Sequence, residues 1–235
     1  MASECVEVAS PVEHTRVPAY ARFVGQLATN VAGLFLFALG VVLTVRSGLG
    51  LGPWDVLHQG ISRHTPLTFG QASQVVGVTV IGIGLLLRVR PGLGAVLNML
   101  LIGFFVDRIL AVHAIPAATP YGPAARLVMD ASGVLLVGLG SGLYIRASLG
   151  AGPRDGLMLG LHRVMGVRVA LARAALELTV VVVGFLLGGT VGVGTLVFAL
   201  GVGPAVECGF RVFGVPSREG RLHHQPPRPV TERTR

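Results

Sequence analysis

Leu43 to Arg63 reads LTVRSGLGLGPWDVLHQGISR, and Leu143 to Arg163 reads LYIRASLGAGPRDGLMLGLHR. Laid over each other at an offset of 100, the two stretches share ten of 21 positions. The shared core is Leu-Gly-x-Gly-Pro-x-Asp-x-Leu-x-x-Gly-x-x-Arg, with a Leu and an Arg before it. The chain holds 34 glycines and so matches itself easily. Pro, Asp and both Arg in register go beyond that background, and we read an internal duplication.

Uncharged apolar runs flank both copies: Phe23 to Val45, Val75 to Leu87, Leu93 to Val106, Ala131 to Ile145 and Leu178 to Val206. Only 13% of the 235 residues are charged, against about 25% in soluble domains, and mean hydropathy is +0.72. The composition is that of a polytopic membrane protein. The net charge of +8 comes from 19 Arg with no Lys. These Arg sit in loops, tails and helix ends and form no nucleic-acid stripe. Cys5 and Cys208 give neither a disulfide framework nor a metal spacing. The first apolar run is too long for a cleavable leader.

A span needs about 20 residues. The expected spans are about Tyr20–Val45, Phe69–Leu87, Leu93–Leu110, Ala125–Ile145, Val169–Leu187 and Gly192–Phe213. Thr68 with Gln71 is a capping-box pattern opening the second. Each motif copy follows the first span of its half and predicts a helix too short to cross, either interfacial or re-entrant. Gly50, Gly52, Gly150 and Gly152 loosen the approach, and Pro53 and Pro153 suit a first helical position. Asp55 and Asp155 would then face the orphan N–H groups of the first turn. The expected fold is all-α: a six-span helical bundle of two inverted three-helix repeats, each with a short non-spanning helix. Its parts are a tail at 1–18, a first repeat at 19–115, a Pro-rich linker at 116–124, a second repeat at 125–213 and a basic disordered tail at 214–235.

With six spans, fifteen Arg fall on the side of the termini and four on the other. The positive-inside rule puts both termini in the cytoplasm. Three spans per half is an odd number, so the halves enter the membrane inverted, with the first motif copy on the outer side and the second on the inner. Such inverted repeats are a common plan for secondary transporters.

Each half repeats one charged set: Arg46, Asp55 and Asp107 outside, and Arg146, Asp155 and Glu207 inside. We expect each triplet to form one network, a structural clamp or a gate. Asn98 lies inside the third span. Ser73 and Gln74 start the second span from the opposite face, so a polar path shared with Asn98 would cross most of the bilayer. Glu177 and Asp130 lie within spans, with Arg173 and Arg126 four residues away as the expected partners. Polar and ionisable groups at such depth face protein or a wet cavity, so Asn98, Ser73, Gln74 and Glu177 are cavity candidates. Trp54 reads as an interface anchor, and the span glycines as close helix contacts. No nucleophile–base set, HExxH or GxSxG pattern is present. We therefore expect neither an enzyme nor a metal or cofactor site.

Gly50-x-Gly52-Pro53-Trp54-Asp55-Val56-Leu57 followed by Phe69-Gly70-Gln71 resembles the YczE/YitT-type bacterial integral membrane proteins, closest to the YczE branch, over roughly residues 20 to 213. The resemblance implies a six-span protein of the bacterial cytoplasmic membrane, without the soluble C-terminal domain of many YitT-like members. It carries no assigned activity or site residues. The expected function is transport of a small solute or ion. The alternative is a non-transporting membrane protein that binds or regulates a partner at the cytoplasmic face. The expected partners are the lipid bilayer, a small solute or ion, a cytoplasmic protein in the alternative, and a second copy if it is a homo-oligomer.

Overall fold

The computed structural model describes residues 18–113, 115–150 and 152–215. The tails expected at 1–18 and 214–235 lie almost wholly outside the described residues. The chain folds into eight described helices: α1 (Ala19–Ser47), α2 (Pro53–His64), α3 (Phe69–Leu86), α4 (Leu93–Val112), α5 (Gly122–Arg146), α6 (Pro153–Met165), α7 (Val169–Leu186) and α8 (Val193–Val212). Six are long and apolar enough to cross a membrane; α2 and α6 are the short ones. At 12 and 13 residues they reach about 18–20 Å, short of a bilayer's roughly 30 Å core. The segment expected as a linker is partly helical: Thr119–Tyr121 forms a 3-10 turn, and α5 begins at Gly122 with Pro123 in its first turn.

Glycine decides which helices touch. α1 packs along α5, α5 along α8, and α4 along α1 and α3. At the α1–α5 crossing a Cβ on Gly40 would stand 2.6 Å from the Gly133 carbonyl, and one on Gly140 2.5 Å from the Phe37 nitrogen. Only backbones without side chains pack this closely. Ala38, Val41, Val42, Val106 and Val137 form the core where α1, α4 and α5 meet.

The short helices pack inside the bundle. α2 lies against α7 and α3, and α6 against α3 and α7. Pro53, Trp54, Asp55, Val56, His58 and Gly60 of α2 are all buried. Trp54, Val76, Val80, Leu157 and Val180 form a second core joining these four helices.

The motif glycines have a conformational reason. Gly50 and Gly150 hold φ angles of +121° and +114°, a region closed to side-chain-bearing residues. Each motif turn then hooks onto the other half. The Gly194 N–H donates to the Leu49 carbonyl at 2.9 Å, and the Gly94 N–H to the Leu149 carbonyl at 2.8 Å. A Cβ on Gly94 or Gly194 would stand 2.8 Å from the Gly150 or Gly50 carbonyl. Pro53 and Pro153 then open α2 and α6 from Gly52 and Gly152.

Candidate functional site: a cavity between the two motif helices

The Pro53 and Pro153 starts bring the first turns of α2 and α6 together. The Arg154 guanidinium lies 4.6 Å from the centroid of the Trp54 ring. Beside this pair is a cavity of about 20 Å³, lined among others by Trp54, His58, Ser73, Asn98, Met99 and Arg154. Both motif copies therefore contribute to one wall. The position expected to anchor Trp54 at the interface is corrected: its ring is 7% exposed, inside the bundle.

His58 lies one turn after Trp54 and three residues after Asp55, on one helix face. Its Nδ1 stands 3.3 Å from Asp55 Oδ1. Asp55 sits in the first turn of α2 as expected, with its carboxylate turned to His58 and, among the described residues, no side-chain cap bond at the helix start. α2 is outside the six spans, and there burial pushes His58 below the ordinary imidazole range, outweighing the upward pull of Asp55. That favours neutral imidazole.

Asn98 and Ser73 line the same cavity, and the expected separation across the bilayer is corrected by register. A Cβ on Gly77 would stand 2.5 Å from Met99 Cγ. Levels 77 and 99 therefore coincide, and Asn98 is about five residues, roughly 7.5 Å, from the level of Ser73. Gln74 points elsewhere, its Nε2 donating to the Leu100 carbonyl at 2.9 Å. Glu177 pairs with Arg173 at 2.9 Å on the exposed face of α7.

The outer triplet does not form one network among the described residues. Arg46 donates to the Leu110 carbonyl at 3.4 Å. Asp107 accepts from the Gly70 N–H at 2.8 Å and from the Thr68 hydroxyl, closing the start of α3. The inner set differs again. Glu207 pairs with Arg211 at 2.6 Å, both exposed. Arg146 is exposed at the end of α5, and the Asp155 side chain is outside the described residues.

The expected Asp130–Arg126 pair is replaced by longer-range bonds. Asp130 is fully buried and accepts from Ser47 Oγ at 3.0 Å. Arg126 instead caps α1, its Nε donating to the Ser47 carbonyl at 2.8 Å and its Nη2 to the Gly48 carbonyl at 2.5 Å. Sequence reasoning passed over the Trp54–Arg154 contact, His58 and the depth of Asp130. The offset of 100 held a signal for two of them: Trp54 aligns with Arg154, and Asp130 with Asn30, which is also fully buried.

A profile of a family of unknown function, DUF6198, matches residues 24–210. The chain belongs to this family. It is 39% identical to an uncharacterized protein of Haemophilus influenzae over 179 residues, covering 74% of this chain and 80% of that protein. It is also 39% identical to the uncharacterized membrane protein YczE of Bacillus subtilis over 171 residues, 72% of this chain and 78% of the relative. YyaS of Bacillus subtilis is 28% identical over 169 residues, 70% and 82% of the two chains. No solved structure matches. The resemblance to YczE-type proteins read from the motif is borne out. With its six apolar helices, the family member described here is an integral membrane protein. Exposed apolar side chains such as Leu86, Val128 and Leu200 face lipid.

Proposed function

We propose that the protein is a small-solute or ion transporter of the cytoplasmic membrane, built from two inverted three-helix repeats with both termini cytoplasmic. It is not an enzyme in this reading. The observation that carries it is that Trp54 and Arg154, from one register of the two copies, share the wall of one cavity. Equivalent positions of an inverted repeat meet only near its pseudo-two-fold axis. The mirrored bonds of Gly94 to Leu149 and Gly194 to Leu49 support the same axis. Interrupted helices that start at such an axis build the sites of many secondary transporters, which favours α2 and α6 as re-entrant.

The halves differ where alternation needs them to. Asp107 is latched to the start of α3, and Gly103 packs against Gly70. The counterpart Glu207 is bonded within its own helix, and a Cβ on Gly203 would meet nothing within 4 Å. This contrast supports Asp107 and Glu207 as gate residues, one closed and one open. The small size of the cavity favours a second reading, a non-transporting protein that binds a partner at the cytoplasmic face.

Single Cys probes at Asn98 and Ser73, in a chain lacking Cys5 and Cys208, test the first reading. An impermeant thiol reagent is applied to right-side-out and inverted vesicles. Labelling of the probes from the cytoplasmic side is the expected result. Probes silent from both sides, while loop probes label, would remove the transporter and leave the partner-binding protein.

A further inference from the structure

We infer that Asp130 is a proton-binding site, where the protein takes up the proton that its movement is coupled to. The inference goes beyond the transporter reading by naming a coupling ion. It rests on that reading for the proton's role but not for the site itself. Asp130 on α5 and Ser47 at the end of α1 are both 0% exposed. Ser47 Oγ lies 3.0 Å from Asp130 Oδ1 and 2.8 Å from the Thr44 carbonyl oxygen, and it accepts from the Leu49 N–H at 3.2 Å. A hydroxyl has one hydrogen, so an ionised Asp130 would share that hydrogen with Thr44. Asp130 Oδ2 has no hydrogen-bond partner among the described residues. A buried carboxylate bonded this sparsely is unfavourable. The carbonyl end of α1, the negative end of its dipole, makes it more so.

One proton at Oδ1 completes the set. Oδ1–H then donates to Ser47 Oγ, and the Ser47 hydrogen goes wholly to Thr44. Ser47 Oγ accepts from Asp130 and Leu49, which fills both of its lone pairs. A proton also needs no volume, whereas a metal cation gathers several oxygens around it. The bare backbone of Gly194 already lies against Oδ1, where a Cβ would stand 2.9 Å away. Among the described residues no ion pair reaches Asp130. Arg126, one turn earlier, donates to the Ser47 and Gly48 carbonyls, and Arg46 on α1 turns to the Leu110 carbonyl. Tyr121 is exposed, and residues 193–203 of α8 hold no titratable side chain.

The site sits under the first motif turn. Leu49 is hooked to Gly194, and the Leu51 N–H donates to the Thr190 carbonyl at 3.2 Å. The protonated network therefore closes this turn onto the start of α8. Loss of the proton to water leaves a buried charge, which is relieved when the turn leaves α8 and water reaches Asp130. The equivalent pair of the second half is Asn30 and Ala147, with neither acid nor hydroxyl, so one motif turn is proton-operated and the other is not.

The purified full chain at neutral pH should show the infrared C=O band of a protonated carboxyl, lost in Asp130→Asn. Should that variant fail to fold, Ser47→Ala serves, since it removes the acceptor and should shift the band. A second measurement follows thiol labelling of Leu51→Cys, 2% exposed as Leu, in a chain lacking Cys5 and Cys208. The open turn binds one proton fewer, so its population rises with pH. Labelling should rise with pH by up to about tenfold per unit more with Asp130 than with Asp130→Asn; the thiol's own ionisation is common to both. A spectrum unchanged by either variant, or equal pH slopes, would overturn the inference. So would sodium that slows labelling at constant pH, which would make the ligand a metal cation. Cys probes at Asn98 and Ser73 separate this from the transporter reading. The Asp130 band with silent cavity probes keeps the proton site and removes transport, whereas labelled cavity probes without the band keep transport and remove the proton.

Discussion

Trp54 and Arg154 occupy the same place in two copies of one motif, and the guanidinium of one stands 4.6 Å from the ring centroid of the other. Trp54 is 7% exposed, so the contact is largely shielded from water. A desolvated cation–π pair contributes about 2 kcal/mol. In a double-mutant cycle with Trp54→Leu and Arg154→Gln, we expect a coupling energy of about 1–2 kcal/mol. Thermal unfolding of the detergent-solubilised protein measures it. Additive losses would mean that the two residues are mere neighbours.

The glycines separate into two groups. Gly40 and Gly140 have no room for a Cβ, while Gly25 and Gly82 have nothing within 4 Å of one. Overpacking a tight contact costs about 1–3 kcal/mol. Ala in place of Gly within an open helix gains up to about 1 kcal/mol. Gly40→Ala and Gly140→Ala should therefore lower the unfolding temperature, and Gly25→Ala and Gly82→Ala should leave it equal or raise it. Equal behaviour of the two groups would contradict the α1–α5 crossing.

What could be read from the sequence was local in the chain. Thr68 and Gln71 are three residues apart, and their capping box is present. Arg173 and Glu177 are four apart and paired. Pro53 opens its helix as its missing N–H requires. The failures were of longer range. The habits of its residue type place Trp54 at the interface, but burial between α2 and α6 overrides them. Asp130 had a partner four residues away, yet Ser47 at the end of another helix reached it first. Position along each span alone puts Asn98 and Ser73 near opposite faces. Only the register of α3 against α4, set by Gly77 and Met99, brings them to one cavity.

Asp107 and Glu207 are equivalent in sequence and inequivalent in structure. Asp107 closes the start of α3 through the Gly70 N–H and the Thr68 hydroxyl. Capping bonds of this kind contribute about 0.5–2 kcal/mol. The Glu207–Arg211 pair is largely exposed and contributes at most about 1 kcal/mol. Asp107→Asn should destabilise the protein measurably more than Glu207→Gln. It should also make a Cys probe at Ser73 reactive to an impermeant reagent from the outer side. Equal losses, with Ser73 still silent from outside, would remove Asp107 as a latch.

Asp130 and Asn30 are a second equivalent pair, both fully buried. Each leaves one side-chain oxygen without a hydrogen-bond partner among the described residues, Oδ2 of Asp130 and Oδ1 of Asn30. Asn30 Nδ2 donates to the Tyr144 carbonyl at 3.5 Å. Tyr144 aligns with Thr44, whose carbonyl oxygen lies 2.8 Å from Ser47 Oγ, so the single hydroxyl hydrogen of Ser47 is shared between Thr44 and Asp130. An Asn at position 130 could therefore keep the Ser47 bond through its oxygen and turn its amide to Thr44, as Asn30 does to Tyr144. Asp130→Asn should stay within about 1 kcal/mol of the parent protein. Asp130→Ala loses both the bond and the packing and should cost about 1–3 kcal/mol. Thermal unfolding of the two variants side by side decides it. If Asn were as damaging as Ala, the carboxylate itself would be required at this depth, and Asn30 would no longer be a guide to its twin.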